Sequence, residues 1–235
     1  MNSAPNWDDW ETYMWVVAHP DDAEFSSAGT IARLTKLGKK VVIIQVTSGD
    51  KGTPDSSIPG HELATGRELE ELNAAKVLGV DDVVFLRCSD GELVPDLALR
   101  EKVVRQIRTF KPDVIVSHDP YRPYALHPDH RACGFAAIDA VYPTARDPHY
   151  FPEHLAEGLE PHKTAEIWFF NAEQPDLVVD ISETFDMKIA SLKEHASQVG
   201  DGVEMAKRVR ERNAEIAAGQ EFELAEAYKV VPMRR

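Results

Sequence analysis

The sequence predicts an α/β fold, Rossmann-like and three-layered (α/β/α), with a mostly parallel sheet. Three observations carry that expectation. Short β-branched runs alternate along the chain with longer segments of helical periodicity, the pattern of repeated βαβ units. Acid and histidine clusters follow two of the apolar runs, where open α/β sheets place their sites. At 235 residues, 43% of them hydrophobic, the chain is long enough to bury a substantial core as one domain over residues 1–235.

The first strand is expected over 14–18 (Met-Trp-Val-Val-Ala), a continuous apolar run suited to a sheet covered on both faces. A helix over 25–37 follows, with Ile31, Leu34 and Leu37 at helical spacing and Gly38 positioned to end it. The second strand, 41–47, leads into a Gly, Pro, Ser and Asp stretch over 48–60 that reads as a mobile loop over a site. Residues 62–78 form the second expected helix, closed by Gly79, and a strand at 83–86 and a third helix at 97–110 come next. Another strand at 113–117 precedes a helix over 129–141. Residues 142–164 hold Pro143, Pro148, Pro152 and Pro161 and are expected to be irregular. Strands at 166–170 and 177–179, helices at 185–198 and 204–218, and a last edge strand at 228–231 complete the pattern, with no internal repeat.

Composition narrows the partners. A net charge of −14 argues against non-specific binding to nucleic acid or to an anionic membrane, which leaves small molecules. Only Cys88 and Cys133 are present, too few for a disulfide framework, so a reducing compartment is expected. Residues 1–11 carry Asp8, Asp9 and Glu11 without a basic segment ahead of an apolar stretch, which does not read as a secretory signal. No run is long enough to span a bilayer, and the expected location is the cytoplasm.

The chemistry lies in His19-Pro20-Asp21-Asp22, directly after the first strand, and in His127-Pro128-Asp129-His130, after the run 114–116. Loops at the carboxyl ends of parallel strands converge on one crevice, so both clusters are expected at a single metal ion. A catalytic zinc commonly keeps three ligands from His, Asp or Glu and one open position; His19, Asp22 and His130 supply such a set. Asp21 is then free to act as general base in water attack on an amide carbonyl. His127, as an imidazolium, would stabilise the oxyanion and give a proton to the leaving amine. Asp129 is expected to hold the His127 ring and favour its protonated form. A blander reading stays open: His-Pro-Asp is commonly a turn, and Asp21 or Asp22 would cap the helix that begins near Phe25. Two such clusters after two expected strands favour the metal site.

At these residues the chain resembles the LmbE-like, or PIG-L, zinc-dependent deacetylases, which remove acetyl groups from N-acetylglucosamine conjugates. The stretch from Ala18 to Phe25, followed by Gly29-Thr30, resembles the first motif of that family, and His127-Pro128-Asp129-His130 the second. Arg67, Glu70, Ala74-Ala75 and Leu78-Gly79 are similar to its intervening helix, and Ser89-Asp90-Gly91 to its substrate-side loop. Lys188, His195 and Ser197-Gln198 resemble a carboxyl-terminal stretch of bacterial members. The resemblance implies zinc on His19, Asp22 and His130, Asp21 as base, His127 facing the oxyanion, and Arg67 and Asp90 at sugar hydroxyls. It also implies a homo-oligomer. Two departures, Ala28-Gly29 in place of two glycines and the aromatic and basic segment 121–126, bear on substrate identity rather than on the ligands. The expected substrate is a small amino-sugar conjugate; the alternative is a metal-dependent amidase acting on a thiol conjugate or another N-acyl compound. A nucleotide-binding module without chemistry is disfavoured, because no Gly-x-Gly-x-x-Gly loop follows the first strand.

The remaining residues read more plainly. Cys133 is expected to be a small buried hydrophobe, and His118-Asp119 either a turn-capping pair or a support for the site. His149, His154 and His162 read as surface groups of a Pro-rich loop, and Lys207-Arg208, Arg210 and Arg212 as a solvated helix face. Trp7, Trp10 and Trp15 are expected to be core or subunit-contact aromatics.

Overall fold

A computed structural model describes residues 7–233; the amino-terminal expectation falls partly on residues 1–6, outside the described ones. Five strands run parallel and contiguous in space: β3 (Asp82–Cys88), β2 (Lys40–Thr47), β1 (Thr12–Val17), β4 (Val114–His118) and β5 (Glu166–Phe170). The sheet ends with β7 (Ala225–Pro232) antiparallel to β5 and β6 (Leu177–Asp180) antiparallel to β7, giving the order β3-β2-β1-β4-β5-β7-β6. The chain therefore winds outward from β1 in one direction and from β4 in the other. Their boundary is the topological switch point, where the connecting loops diverge and leave a crevice beyond the carboxyl ends of the strands.

β1 is buried on both faces, which is why its apolar run does not alternate with polar residues. Tyr13, Trp15 and Val17 face a core shared with α1 (Asp22–Lys36), α6 (Phe185–Glu194) and α8 (Val203–Ile216). Met14 and Val16 face the other core, built with α3 (Leu97–Phe110) and α4 (Pro128–Asp139). Each fully buried Val, Leu or Ile in these layers contributes about 1.5–3 kcal/mol, before the entropy of ordering is set against it. No helix of the described residues is long and apolar enough to cross a membrane.

Two contacts set the helices that carry the site. Glu226 on β7 accepts from the backbone N–H groups of Gly29 (3.0 Å) and Thr30 (2.8 Å), and Lys188 on α6 pairs with it at 2.7 Å. This fully buried ion pair clamps α1, and removing one member alone would leave an unpaired charge costing about 3–5 kcal/mol. On the opposite face, a Cβ at Gly134 would lie 2.6 Å from the His118 carbonyl oxygen, a backbone atom that cannot swing away. Gly134→Ala is therefore expected to push α4 from β4 and to cost about 1–3 kcal/mol, as overpacked cores do. Chemical denaturation of the variant checks this, and an unchanged midpoint would contradict it.

The expected architecture holds, with instructive differences. α1 begins at Asp22 rather than at 25, because the His-Pro-Asp turn runs straight into it. The helix expected over 185–198 breaks at His195 into α6 and the short α7 (Ala196–Val199). The strand expected at 228–231 is longer and is not an edge: β7 inserts between β5 and β6. Residues 140–164 are largely irregular, with a π-turn at Ala140–Ala145 and one helical turn, α5 (Glu153–Ala156). Buried Arg108 holds that segment by donating to the carbonyls of Ala145, Thr144 and Tyr150. His154, expected at the surface, is fully buried with Nε2 at 2.7 Å from Glu101. Trp15 is core, with Trp7 and Trp10 packed against it, as expected.

Candidate metal centre and active site

β1 delivers the first cluster directly into the crevice. Thr47 fixes the end of β1 by donating its N–H and its hydroxyl to the Ala18 carbonyl, both at 2.9 Å. The chain then reverses: the His19 N–H donates to Asp22 Oδ2 at 2.8 Å, and the Asp22 N–H to the His19 carbonyl at 3.2 Å. The turn costs strain at Asp21, whose φ of 100° is left-handed for a residue with a Cβ. Such strain costs about 1–3 kcal/mol and persists only where surroundings impose it. Here the Asp21 N–H donates to Glu71 on α2 (Gly60–Leu78) at 3.4 Å. Arg67 on the same helix donates to the Pro20 carbonyl at 2.7 Å and lies 3.4 Å from Asp21 Oδ2. Asp21 occupies the N-cap position of α1 but its side chain makes no capping bond, so the blander reading of the motif fails for that residue.

Three imidazoles converge on the Asp22 carboxylate. His19 Nδ1 lies 3.4 Å from Oδ2, His118 Nε2 3.3 Å from Oδ2, and His130 Nε2 3.2 Å from Oδ1. Two donors bound to one tetrahedral zinc at about 2.0–2.1 Å are separated by about 3.3 Å. Donor atoms lie within 4.8 Å of one another in two overlapping groups, His19 with His127 and His130, and Asp22 with His118 and His130; His19 and His130, 111 residues apart, thus both face Asp22. His118 differs, because its Nε2 also accepts from the Ala18 N–H at 3.3 Å. Its ring stacks on His130 (4.2 Å between centroids) and meets Phe170 edge-on at 4.6 Å, which aims His130 at Asp22. Burial alone would raise the Asp22 pKa; the surrounding His118, His130 and His19 outweigh it and hold the carboxyl well below its usual range. Burial and the adjacent Asp22 push Asp21 up to about 7, against the pull of Arg67.

Asp129 corrects an expectation. Its buried carboxylate does not hold the His127 ring: it lies 3.2 Å from His19 Nε2 and accepts from the N–H groups of Gly91 (2.6 Å) and Leu93 (3.1 Å). The cause is its place in the first turn of α4, from which the side chain crosses to the 89–93 loop. Asp90 joins it, with Oδ1 at 3.1 Å from His19 Nε2 and Oδ2 accepting from the Lys51 N–H at 3.2 Å. The hydrogen bond from His19 holds the Asp90 carboxyl at about 2. His19 is thus oriented from behind by carboxylates while Nδ1 faces Asp22, the arrangement that fixes the tautomer of a metal-binding histidine. His127 is the N-cap of α4, and its Nδ1 accepts from the Asp129 N–H at 3.3 Å. Partial desolvation and the neighbouring His19 and His130 lower its pKa. The ring lies beside His19 (4.6 Å between centroids) and His130 (4.7 Å).

Beneath the turn lies a second buried group, Glu24, Glu71 and His195, that sequence reasoning left without a role. His195 Nε2 is 3.4 Å from Glu24 and 3.9 Å from Glu71, and Gln45 donates to Glu71 at 3.3 Å. Burial and the like charge of Glu24 push the Glu71 carboxyl well up. Burial opposes protonation of His195, but Glu24 outweighs it and raises that ring. The group supports the strained Asp21 through Glu71. Helical spacing gives no sign that Glu24 and Glu71 point inward; the break at His195 is visible only in the folded chain. Cys133 is fully buried beside the Val16 carbonyl and burial pushes its thiol up, as a structural cysteine requires.

Comparison with known proteins follows the same residues. The family model described as PIG-L: GlcNAc-PI de-N-acetylase matches residues 14–141. A diacetylchitobiose deacetylase from Thermococcus kodakarensis is 38% identical over 185 residues, spanning 79% of this chain and 69% of that protein. A probable N-acetyl-alpha-D-glucosaminyl L-malate deacetylase 2 from Bacillus subtilis is 29% identical over 193 residues, spanning 80% of this chain and 83% of that one. The structure of an N,N'-diacetylchitobiose deacetylase from Pyrococcus horikoshii superposes with a TM-score of 0.91 at 30% identity, covering 96% of this chain and 85% of the other.

Proposed function

The chain belongs to the PIG-L family of GlcNAc-PI de-N-acetylases, and from that premise we propose that it is a zinc-dependent hydrolase that removes the N-acetyl group from a small N-acetylglucosamine-type conjugate. Water and the acetamide give acetate and the free amine. The observation that carries the reading is the meeting of His19 and His130 on the Asp22 carboxylate at 3.4 and 3.2 Å. We assign the zinc to His19 Nδ1, Asp22 and His130 Nε2, within one catalytic domain over 1–235.

When bound, zinc polarises a carbonyl and lowers the pKa of water toward neutrality. Asp21 takes the proton from the attacking water and passes it to the leaving amine, with Arg67 beside its carboxylate and Glu71 accepting its backbone N–H. His127 donates from Nε2–H to the developing oxyanion, a bond that strengthens as charge builds on that oxygen. Asp129 and Asp90 hold His19 from behind. We also assign Arg67, beside Asp21, and Asp90, beside His19, to the sugar hydroxyls. The test is acetate release from a panel of N-acetylated amino sugars with and without chelator: the reading requires turnover that chelation abolishes and zinc restores.

Loading should depend on pH in a set direction. Burial would lower the His19 pKa, but hydrogen bonds to Asp22 and Asp90 outweigh it and push it up to about 10 in the metal-free chain. Zinc binds the neutral ring, so below that pH binding must displace a proton. Apparent affinity is expected to rise about tenfold per pH unit between pH 6 and 8. Competition with a chelating dye checks this; an affinity independent of pH would contradict the assignment of His19.

A further inference from the structure

His195, Ser197 and Gln198 take no part in the metal cluster, yet they grip the helix that carries Arg67 and Glu71. His195 continues the buried face of α6 after Lys188, Ser191 and Leu192, and α6 packs on α2, which brings its Nε2 within 3.9 Å of Glu71. The chain breaks there. α7 then holds α2 by its more exposed flank, where the Ser197 N–H and hydroxyl donate to the two oxygens of Glu70 at 2.8 and 2.7 Å. Gln198 adds a bond from Nε2 to the Gly52 carbonyl at 3.2 Å, in the loop that follows β2. From this geometry we propose that His195 is a positioning residue of the hydrolysis: seated behind Glu71, it keeps that carboxyl group under the Asp21 N–H and so holds the base in its left-handed turn.

Energetics set the cluster apart from ordinary packing. Glu24, Glu71 and His195 are fully buried, and among the described residues no hydrogen bond reaches Oε1 of Glu24, Oε1 of Glu71 or Nδ1 of His195. Each buried polar atom left so costs about 1–3 kcal/mol, and apolar side chains of similar volume would fill the space without that cost. The cluster's bond into the active site runs from the Asp21 N–H to Glu71 Oε2 at 3.4 Å, and Gln45 Nε2 shares that oxygen at 3.3 Å. Both bonds are long. The placement of the Glu71 carboxyl group therefore depends on what stands behind it, and there His195 lies 3.4 Å from Glu24, anchored by α6 before it and by Ser197 after it. The φ of 100° at Asp21 is strain of the kind that persists only where the surroundings impose it.

The inference rests on the deacetylase reading, and the experiment separates the two. Zinc-loaded His195→Leu, which fills the space without a nitrogen, is compared with His195→Gln, whose amide can still donate to Glu24. For the amino sugar that wild type turns over fastest, His195→Leu is expected to lower kcat about tenfold with KM and zinc content unchanged, and His195→Gln to stay within about twofold of wild type. The effect must also vanish where there is no base to place. In an Asp21→Asn background, adding His195→Leu should change the residual kcat by less than about twofold. A residue that merely stabilises the core would lower the melting temperature and leave kcat per zinc-loaded molecule as it was. That result, or an equal loss of kcat in both backgrounds or in both His195 variants, overturns the inference and leaves the deacetylase reading intact. If wild type releases no acetate, the deacetylase reading is in question instead, and the crystal structure of His195→Leu decides: Asp21 is expected to leave the left-handed region, and an unchanged turn overturns the inference. Should His195→Leu fail to fold, Ser197→Ala combined with Gln198→Ala frees α7 at exposed positions, and the same comparison applies: a fall in kcat that Asp21→Asn abolishes supports the inference, and an unchanged kcat overturns it.

Discussion

Asp21→Asn is expected to keep zinc at one equivalent and to lower kcat by about a thousandfold, within the range that general-base removal produces. Asparagine is the right replacement because it tolerates a left-handed backbone, so the φ of 100° at this position survives the change. The Asp21 N–H to Glu71 is a backbone contact and also survives. What disappears is the carboxylate that Arg67 steadies beside Asp22. Alanine would confound loss of the base with relaxation of a strained turn. Metal content by atomic emission and kcat by acetate release settle the point: undiminished turnover would remove Asp21 from the chemistry, and loss of zinc would make it a ligand.

Asp22→Ala should behave differently, losing zinc and activity together. Its carboxylate accepts the His19 N–H and faces the imidazoles of His19, His118 and His130, so its removal dismantles the cluster and its turn at once. The loss in metal affinity should exceed the 10–100-fold typical of removing an outer partner of a ligand. Dialysis against zinc-free buffer followed by metal analysis checks it; a variant that retained one equivalent would refute the ligand set.

Much of this was legible in the chain. A strand buried on both faces announces itself as an unbroken apolar run, and polar residues at its carboxyl end stand out for that reason, which is how His19, Asp22 and His130 come together on paper. Asp129 misleads because two residues of separation from His127 imply a local contact. In the first turn of a helix, however, neighbouring side chains diverge, and this one reaches the 89–93 loop and His19. His118 ends β4 at the switch point, a position whose value depends on strand order, and strand order cannot be read from periodicity. Glu24, Glu71 and His195 are hidden for a related reason. Charged residues on helices are ordinarily solvated, and only the packing of α1, α2 and the α6–α7 break buries all three together.

Crystals grown with zinc and measured on both sides of its absorption edge test the central claim most directly. One anomalous peak is expected about 2.0–2.1 Å from His19 Nδ1, an Asp22 oxygen and His130 Nε2, with no protein atom at the remaining position. A peak between Glu24, Glu71 and His195 instead, or none near Asp22, would contradict the account.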